Sequence, residues 1–273
     1  MLRTWRLLRI IPTLALYFSL APFGYAVLAL MSTLPARDAD ARAQRLRRVM
    51  QRAFRLMHDW LRGLGVLDFN PRKIEGVLPD GPCVVVANHR TLTDITSIVA
   101  ALGPMTAVVK SEVYRLWWLR PLLEGAGLIE GPTGNPLDVA SVIDASVRQA
   151  RTGSRLVFFP EGTRAPDDHL LPFGRTAFEI ARRANVPVVP VLLHWKNPWL
   201  SKDCRLLQMP DGPTQLHLEV LPPVYPREVQ GSSRALRDMI ETTFVTGLYT
   251  GSAEHLEDDS GGINRESTQA AHR

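Results

Sequence analysis

Cysteine is scarce in this chain. Cys83 and Cys204 are the only two in 273 residues, too few for a disulfide framework. Cys83 lies in an apolar run expected to be buried, so both read as free thiols in a reducing compartment. No C-x-x-C or H-E-x-x-H spacing occurs, and no metal site is expected. G-x-S-x-G is also missing, which removes the serine elbow of the α/β-hydrolases. No repeat with a period of about 20–50 residues is visible, which argues against a solenoid or propeller.

Charge is present but lopsided. Residues 1 to 66 hold eleven arginines against Asp38, Asp40 and Asp59, a local +8 in a chain whose total is +5, so the remainder carries −3. No helix-turn-helix or aromatic nucleic-acid motif accompanies this excess, so a membrane surface is expected as partner and nucleic acid is not. Ile10 to Met31 runs 22 residues without a charge, about the length of a membrane-spanning helix. Pro12, Pro22 and Gly24 interrupt it, so a broken helix or hairpin dipping into one leaflet fits as well as a single span. A cleaved signal peptide ranks last, because the run exceeds a usual apolar core and lacks a clear small-residue cleavage pattern. Arginines flank both ends and leave the orientation open.

From Ala41 to Gly65 the apolar residues Leu46, Val49, Met50, Ala53, Phe54, Met57, Trp60, Leu61 and Leu64 form one helical stripe. Arg47, Arg48, Arg52, Arg55 and Arg62 lie off it. Two readings follow. The helix lies on anionic lipid, drawn by about 1 kcal/mol per nearby cation, or it packs on the folded domain with its basic face in water.

Beyond this point short apolar runs alternate with helical periodicity. Strands are predicted over 83–87, 105–109, 127–130, 155–159, 187–193 and 215–221, and helices over 92–102, 112–123, 136–151, 174–184 and 232–248. The pattern predicts an α/β fold, a mixed central sheet with helices packed on it. It also divides the chain into an anchoring region (1–66), a catalytic domain (67–250) and a polar tail from Gly251 that lacks the apolar mass to order itself. Trp117, Trp118 and Leu119, and the stretch from Trp195 to Leu200, are expected to pack in the core or to line an apolar channel.

Two short strings carry the chemistry: Asn88-His89-Arg90-Thr91-Leu92-Thr93-Asp94, and Phe159-Pro160-Glu161-Gly162-Thr163-Arg164. Each follows an expected buried strand, and side chains just past the carboxyl ends of strands in an open α/β sheet converge on one crevice. An imidazole can take a proton from an alcohol near neutral pH and return it to a leaving group, provided a carboxylate holds the ring in the right tautomer. His89 and Asp94 have the spacing to do so if residues 90 to 93 turn into a helix. Gly162 permits a turn, Arg164 offers a planar fork for phosphate or carboxylate, and Glu161 can bond substrate hydroxyls or hold Arg164. Lys110, ending a strand on the same edge, is a candidate for substrate binding. Oxyanion donors are expected among backbone N–H groups at the start of the helix after His89 or in the Gly162 turn.

Here the chain resembles the glycerolipid acyltransferase family that includes bacterial 1-acylglycerol-3-phosphate acyltransferase. The first motif of that family, N-H-x4-D, matches Asn88, His89 and Asp94, and F-P-E-G-T-R matches Phe159 to Arg164 without a change. A proline-centred block matches Val186 to Val191, and the resemblance covers roughly residues 80 to 195. It implies transfer of a fatty acyl chain from acyl-CoA or acyl carrier protein to a lysophospholipid hydroxyl, first of all that of 1-acylglycerol-3-phosphate, giving phosphatidic acid. It further implies His89 as general base, Asp94 as its partner, Glu161, Gly162, Thr163 and Arg164 as acceptor-binding residues, and no cofactor. Such an enzyme is expected at the cytoplasmic membrane, with its catalytic domain facing the cytoplasm.

One departure stands out. In the stretch Gly125 to Gly131, Gly131 occupies the place where the family carries an arginine for the acceptor phosphate. Phosphate binding then falls to Arg164, Lys110 or Arg175, or the acceptor is a lyso-lipid without a phosphate monoester, such as an amino-acid lipid. A catalytically silent lipid-binding protein on the same scaffold is a third reading, which the intact His89, Asp94 and Glu161 oppose.

Overall fold

The computed structural model describes residues 25–258 other than 28, 32, 75–77, 167–168, 203–209 and 211–213. Most of the uncharged run from Ile10 to Met31, and Cys204, lie outside the described residues. Among the described residues no helix is long and apolar enough to cross a membrane.

A seven-stranded sheet organises the chain. In sequence order the strands are β1 (Leu67–Asp68), β2 (Val84–Ala87), β3 (Thr106–Val109), β4 (Ile129–Glu130), β5 (Leu156–Phe158), β6 (Val188–Lys196) and β7 (Thr214–Val220), arranged β1-β7-β6-β2-β5-β3-β4. All neighbouring pairs are parallel except β6 and β7. β2 is central, with Val84 opposite Leu156 on one side and Val188 on the other. Every residue of β2 is buried, which is why it reads as an unbroken apolar run. β7 keeps one face in contact with solvent and alternates accordingly.

Helices cover both faces. On one lie α1 (Ala39–Gly63) and α2 (Asp94–Leu102), whose Leu61, Ile98 and Leu102 pack with Val85, Val157 and Val189. On the other lie α5 (Pro136–Arg151), α6 (Thr176–Ala184) and α7 (Ser233–Asp258), whose Val142, Phe178 and Phe244 pack with Val84, Leu156 and Val188. Fully burying each such side chain stabilises the fold by about 1.5–3 kcal/mol. Local signals set the helix ends. Asp38 caps α1 by accepting from the Ala41 N–H at 2.7 Å, Asn135 caps α5 through Leu137, and Asn185 closes α6 in the left-handed region.

The structure packs α1 into this body. Leu46 and Leu61 are buried, as the stripe requires, but so is Arg47, which helical phase placed on the solvated side. Its guanidinium donates to Thr106 Oγ1 (3.1 Å), the Ala126 carbonyl (3.3 Å) and Ser154 Oγ (3.2 Å), while burial lowers its pKa. Arg55 likewise donates to the Ala100 carbonyl at 2.8 Å. Arginine satisfies several carbonyls at once, so it tolerates an interior position that composition alone assigns to water.

Other boundaries shift for local reasons. The helix predicted over 112–123 is two short ones, α3 (Ser111–Tyr114) and α4 (Arg120–Gly125), because Pro121 cannot continue a helix from the preceding turn. The strand predicted over 127–130 contracts to β4, since Gly127 turns at φ +68. The helix predicted from residue 92 starts at Asp94, because Thr91 pairs with Ser201 instead. α7 runs to Asp258, past Gly251 where the polar tail was expected to begin.

Candidate active site

β2 and β5 are parallel and adjacent, so the segments leaving their carboxyl ends emerge side by side. The first carries His89, the second Glu161. A backbone hydrogen bond from the Ala165 N–H to the His89 carbonyl (2.7 Å) ties the two loops together.

Asp94 is the hub. It is fully buried at the start of α2 and accepts five hydrogen bonds. Oδ2 takes His89 Nδ1 (2.8 Å), the Arg90 N–H (2.6 Å) and the Thr91 N–H (2.8 Å). Oδ1 takes Thr91 Oγ1 (2.6 Å) and Trp195 Nε1 (3.1 Å). A carboxylate only accepts, so Nδ1 carries the ring proton and Nε2 is left as the basic nitrogen. The ring of Phe159 stacks on the imidazole, with centroids 4.1 Å apart and planes 18° from parallel. The ring is held by a hydrogen bond at its edge and a flat apolar surface on its face, yet 20% of the side chain stays exposed to a reactant.

Glu161 is buried beneath this loop. Its oxygens accept from the His89 N–H (2.7 Å) and the Leu171 N–H (3.0 Å). Burial pushes its pKa above the usual carboxylate range, and the two backbone donors oppose the shift. Glu161 therefore spends its lone pairs on backbone rather than on Arg164. That arginine turns to the Leu200 carbonyl at 3.1 Å and pins the loop after β6. Gly162 adopts φ +70, a turn that a Cβ would strain. Thr163 is exposed at its tip.

Five of the backbone N–H groups around these loops are already occupied. The N–H groups of Arg90 and Thr91 serve Asp94, those of Leu92 and Thr93 serve Leu200 and Thr91, and that of Gly162 serves Phe159. Capping the carboxylate and closing the turns consume these five, which leaves the N–H groups at the start of α2 and those of Thr163 and Arg164 as the donors to consider.

Three side chains have tasks that the sequence did not assign, although Asn88 and Phe159 belong to its motifs. Trp195, expected in a core or a channel, instead donates to Asp94 from the carboxyl-terminal half of β6. Asn88 clamps β2 to β6 by donating to the Leu193 carbonyl (3.1 Å) and accepting from its N–H (2.8 Å). Phe159 supplies the stacking surface. Membership of the two motifs was the available signal for Asn88 and Phe159. Nothing local marks Trp195, which is 101 residues from its partner.

A cavity of about 230 Å³ opens beside the loop, lined by both neighbours of His89, Asn88 and Arg90, with Glu161, His169, Leu193 and Trp195 among its walls. Lys110 and Arg175 stand further out. Both are exposed, Lys110 before α3 and Arg175 before α6, and neither hydrogen-bonds to the His89–Asp94 pair. Gly131 follows β4 and donates its N–H to the Val109 carbonyl at 2.7 Å. A Cβ added there would lie 2.9 Å from that carbonyl oxygen, so this backbone has no room for the arginine of the family motif. Cys83 is buried in the core, where desolvation raises its thiol pKa to about 11 and keeps it inert at neutral pH.

Comparison with known proteins bears on this geometry. A family model described as Acyltransferase matches residues 69–194. The lyso-ornithine lipid O-acyltransferase of Pseudomonas aeruginosa is 32% identical over 251 residues, covering 86% of this chain and 87% of that protein. Human 1-acyl-sn-glycerol-3-phosphate acyltransferase alpha is 29% identical over 198 residues, 67% of each chain. A chloroplastic 1-acyl-sn-glycerol-3-phosphate acyltransferase of Brassica napus is 29% identical over 134 residues, and this chain spans 39% of its length. The crystal structure of a 1-acyl-sn-glycerophosphate acyltransferase from Thermotoga maritima shares the fold, with a TM-score of 0.67 at 20% identity over 92% of this chain and 98% of the other. The matched segment contains both motif loops, and the likeness to the Pseudomonas protein runs nearly end to end: the chain belongs to the Acyltransferase family.

Proposed function

We propose that this protein is an O-acyltransferase that moves a fatty acyl chain from a thioester, acyl-CoA or acyl carrier protein, to the hydroxyl of a lyso-lipid at the cytoplasmic membrane. The single observation that carries the reading is the 2.8 Å hydrogen bond between His89 Nδ1 and buried Asp94, with the ring still partly exposed. Nε2 takes the proton of the acceptor hydroxyl as its oxygen attacks the thioester carbonyl carbon. The tetrahedral adduct then collapses, the carbon–sulfur bond breaks, and the departing thiolate recovers the proton from the imidazolium. Asp94 holds the tautomer and stabilises the transient positive charge. No covalent enzyme intermediate is needed, consistent with the missing serine elbow.

Two acceptor classes fit this chemistry. The names of most relatives favour 1-acylglycerol-3-phosphate. Gly131 favours the second, a lyso-lipid whose headgroup is an amino acid rather than a phosphate monoester. The arginine of the family motif is replaced by a residue whose Cβ position is blocked by Val109, and a relative matched over 86% of this chain is named for lyso-ornithine lipid. Lys110 directly follows Val109, whose strand partner is Glu130, and is our candidate cation for either headgroup. An acceptor panel decides: purified enzyme is given acyl-CoA or acylated carrier protein, each labelled in the acyl chain, with 1-acylglycerol-3-phosphate or lyso-ornithine lipid as acceptor. Preference for lyso-ornithine lipid is the expected result. Preference for the phosphate acceptor returns the first reading, and transfer to neither removes both.

A further inference from the structure

A second cavity, of about 250 Å³, opens at the far edge of the sheet from His89. Arg47 and Arg48 of α1 form one wall. The other walls come from segments that lead into three strands: Gly81 before β2, Pro104 before β3, and Ser154 and Arg155 before β5. These strands are parallel, so their amino ends share one edge, while the loops carrying His89 and Glu161 leave the other.

The charge of this cavity has one sign. Three guanidinium groups line it and no carboxylate does. Arg47, only 5% exposed, donates to Thr106, Ala126 and Ser154, and Arg155 donates to the carbonyls of Gly81 (3.2 Å) and Pro79 (3.0 Å). All five acceptors are uncharged oxygens. Burying a cation is costly unless a counter-charge accompanies it, and here the chain supplies none. Those bonds by themselves describe a brace that ties α1 to the starts of the strands. Arg48 does not belong to the brace. It is exposed and makes no hydrogen bond or ion pair among the described residues, yet it lines the same space. The planar forks of arginine match phosphate oxygens in geometry and charge. The volume lies below the roughly 300–1,000 Å³ of a small-molecule pocket, which suits one phosphate or diphosphate group rather than an acyl chain.

We propose that Arg47, Arg48 and Arg155 bind a phosphate or diphosphate anion, free or at the end of a larger molecule, on the edge of the sheet away from His89. The anion supplies the missing counter-charge and links α1 to the starts of β2, β3 and β5, so its binding stabilises the folded chain by mass action. The site stands whether or not the chain transfers acyl groups.

The test titrates the full chain with inorganic pyrophosphate by calorimetry at an ionic strength of about 0.15 M, where the Debye length is about 8 Å and diffuse attraction to a basic surface is largely screened. Saturable binding is expected, with a rise in melting temperature. Arg48→Ser should weaken binding by about tenfold. Arg52→Ser changes an exposed arginine of the same helix outside the cavity and should leave the affinity as it was. Circular dichroism checks that each variant keeps its fold. Equal losses in the two variants, or no saturable heat with wild type, overturns the proposal. His89→Ala should bind as wild type does; loss of binding there places the anion at the acceptor cavity and overturns it too. Repeating the wild-type titration on phosphatidylcholine vesicles with and without phosphatidic acid separates two sources of phosphate. Heat that persists on both identifies a soluble phosphate as the ligand. Heat suppressed only by phosphatidic acid identifies a lipid headgroup in the same site.

Discussion

Two histidines bond to one helix, and the contrast between them separates the surroundings of the proposed base from those of a core residue. His89 meets the first residue of α2, Asp94, while His58 of α1 meets Thr96 and Ser97 one turn later. His89 has a carboxylate behind it and an opening in front. His58 is fully buried, packed edge-on to Phe69, and faces only hydroxyls. Both hydroxyls donate to the Thr93 carbonyl, so His58 Nε2 must be the donor toward Thr96. Its Nδ1 has no hydrogen-bond partner among the described residues. Burial drives its pKa down to about 4, despite opposing contributions from Thr96 and Asp59. A carboxylate and access to solvent, rather than the imidazole, make the difference between a base and a core residue.

The largest expected effect breaks the pair apart. His89→Ala should reduce acyl transfer by about 10²–10⁴-fold with little change in melting temperature. His58→Leu should keep turnover per folded molecule within about twofold. Steady-state rates and thermal melts of both variants check this; comparable activity losses in the two would erase the distinction.

A second effect is on stability against acid. A histidine held neutral by the fold contributes stability above its unfolded pKa, and that contribution is lost as pH falls toward the folded value. For His58 the window runs from 6.5 down to about 4, and the loss is on the order of 3 kcal/mol. Denaturant melts across that range should show the decline in wild type and a shallower one in His58→Leu. Parallel slopes would mean that other groups control acid unfolding.

The smallest effect sharpens the His89 side. Trp195→Phe removes one of five donors to Asp94 and leaves four. A hydrogen bond of that kind contributes about 1 kcal/mol, so kcat should fall by about three- to tenfold with KM nearly constant. A change in KM alone would place Trp195 at the acceptor rather than behind the base.

Much of this site was legible in advance because its members are close in sequence. His89 and Asp94 are five residues apart and sit on one turn, so spacing was enough to pair them. Glu161 was legible as a motif residue, yet its task was not. It grips the backbone of His89 across 72 residues, a bond that exists only because β2 and β5 are neighbours. Arg164 shows the same limit, since its partner Leu200 belongs to the loop after β6. Arg47 shows it in the core: periodicity assigns a phase to each helical residue but cannot say that carbonyl and hydroxyl groups wait on that side.

Strand and helix identity, the mixed α/β class and the likeness to acyltransferases came from the chain alone, because apolar periodicity and two contiguous motifs are local properties. Which strands are neighbours, that Trp195 and Asn88 complete the site, and that the place of Gly131 is closed by the Val109 carbonyl were decided by the tertiary structure. Those facts depend on distances between residues far apart in sequence, and only the packed sheet sets them.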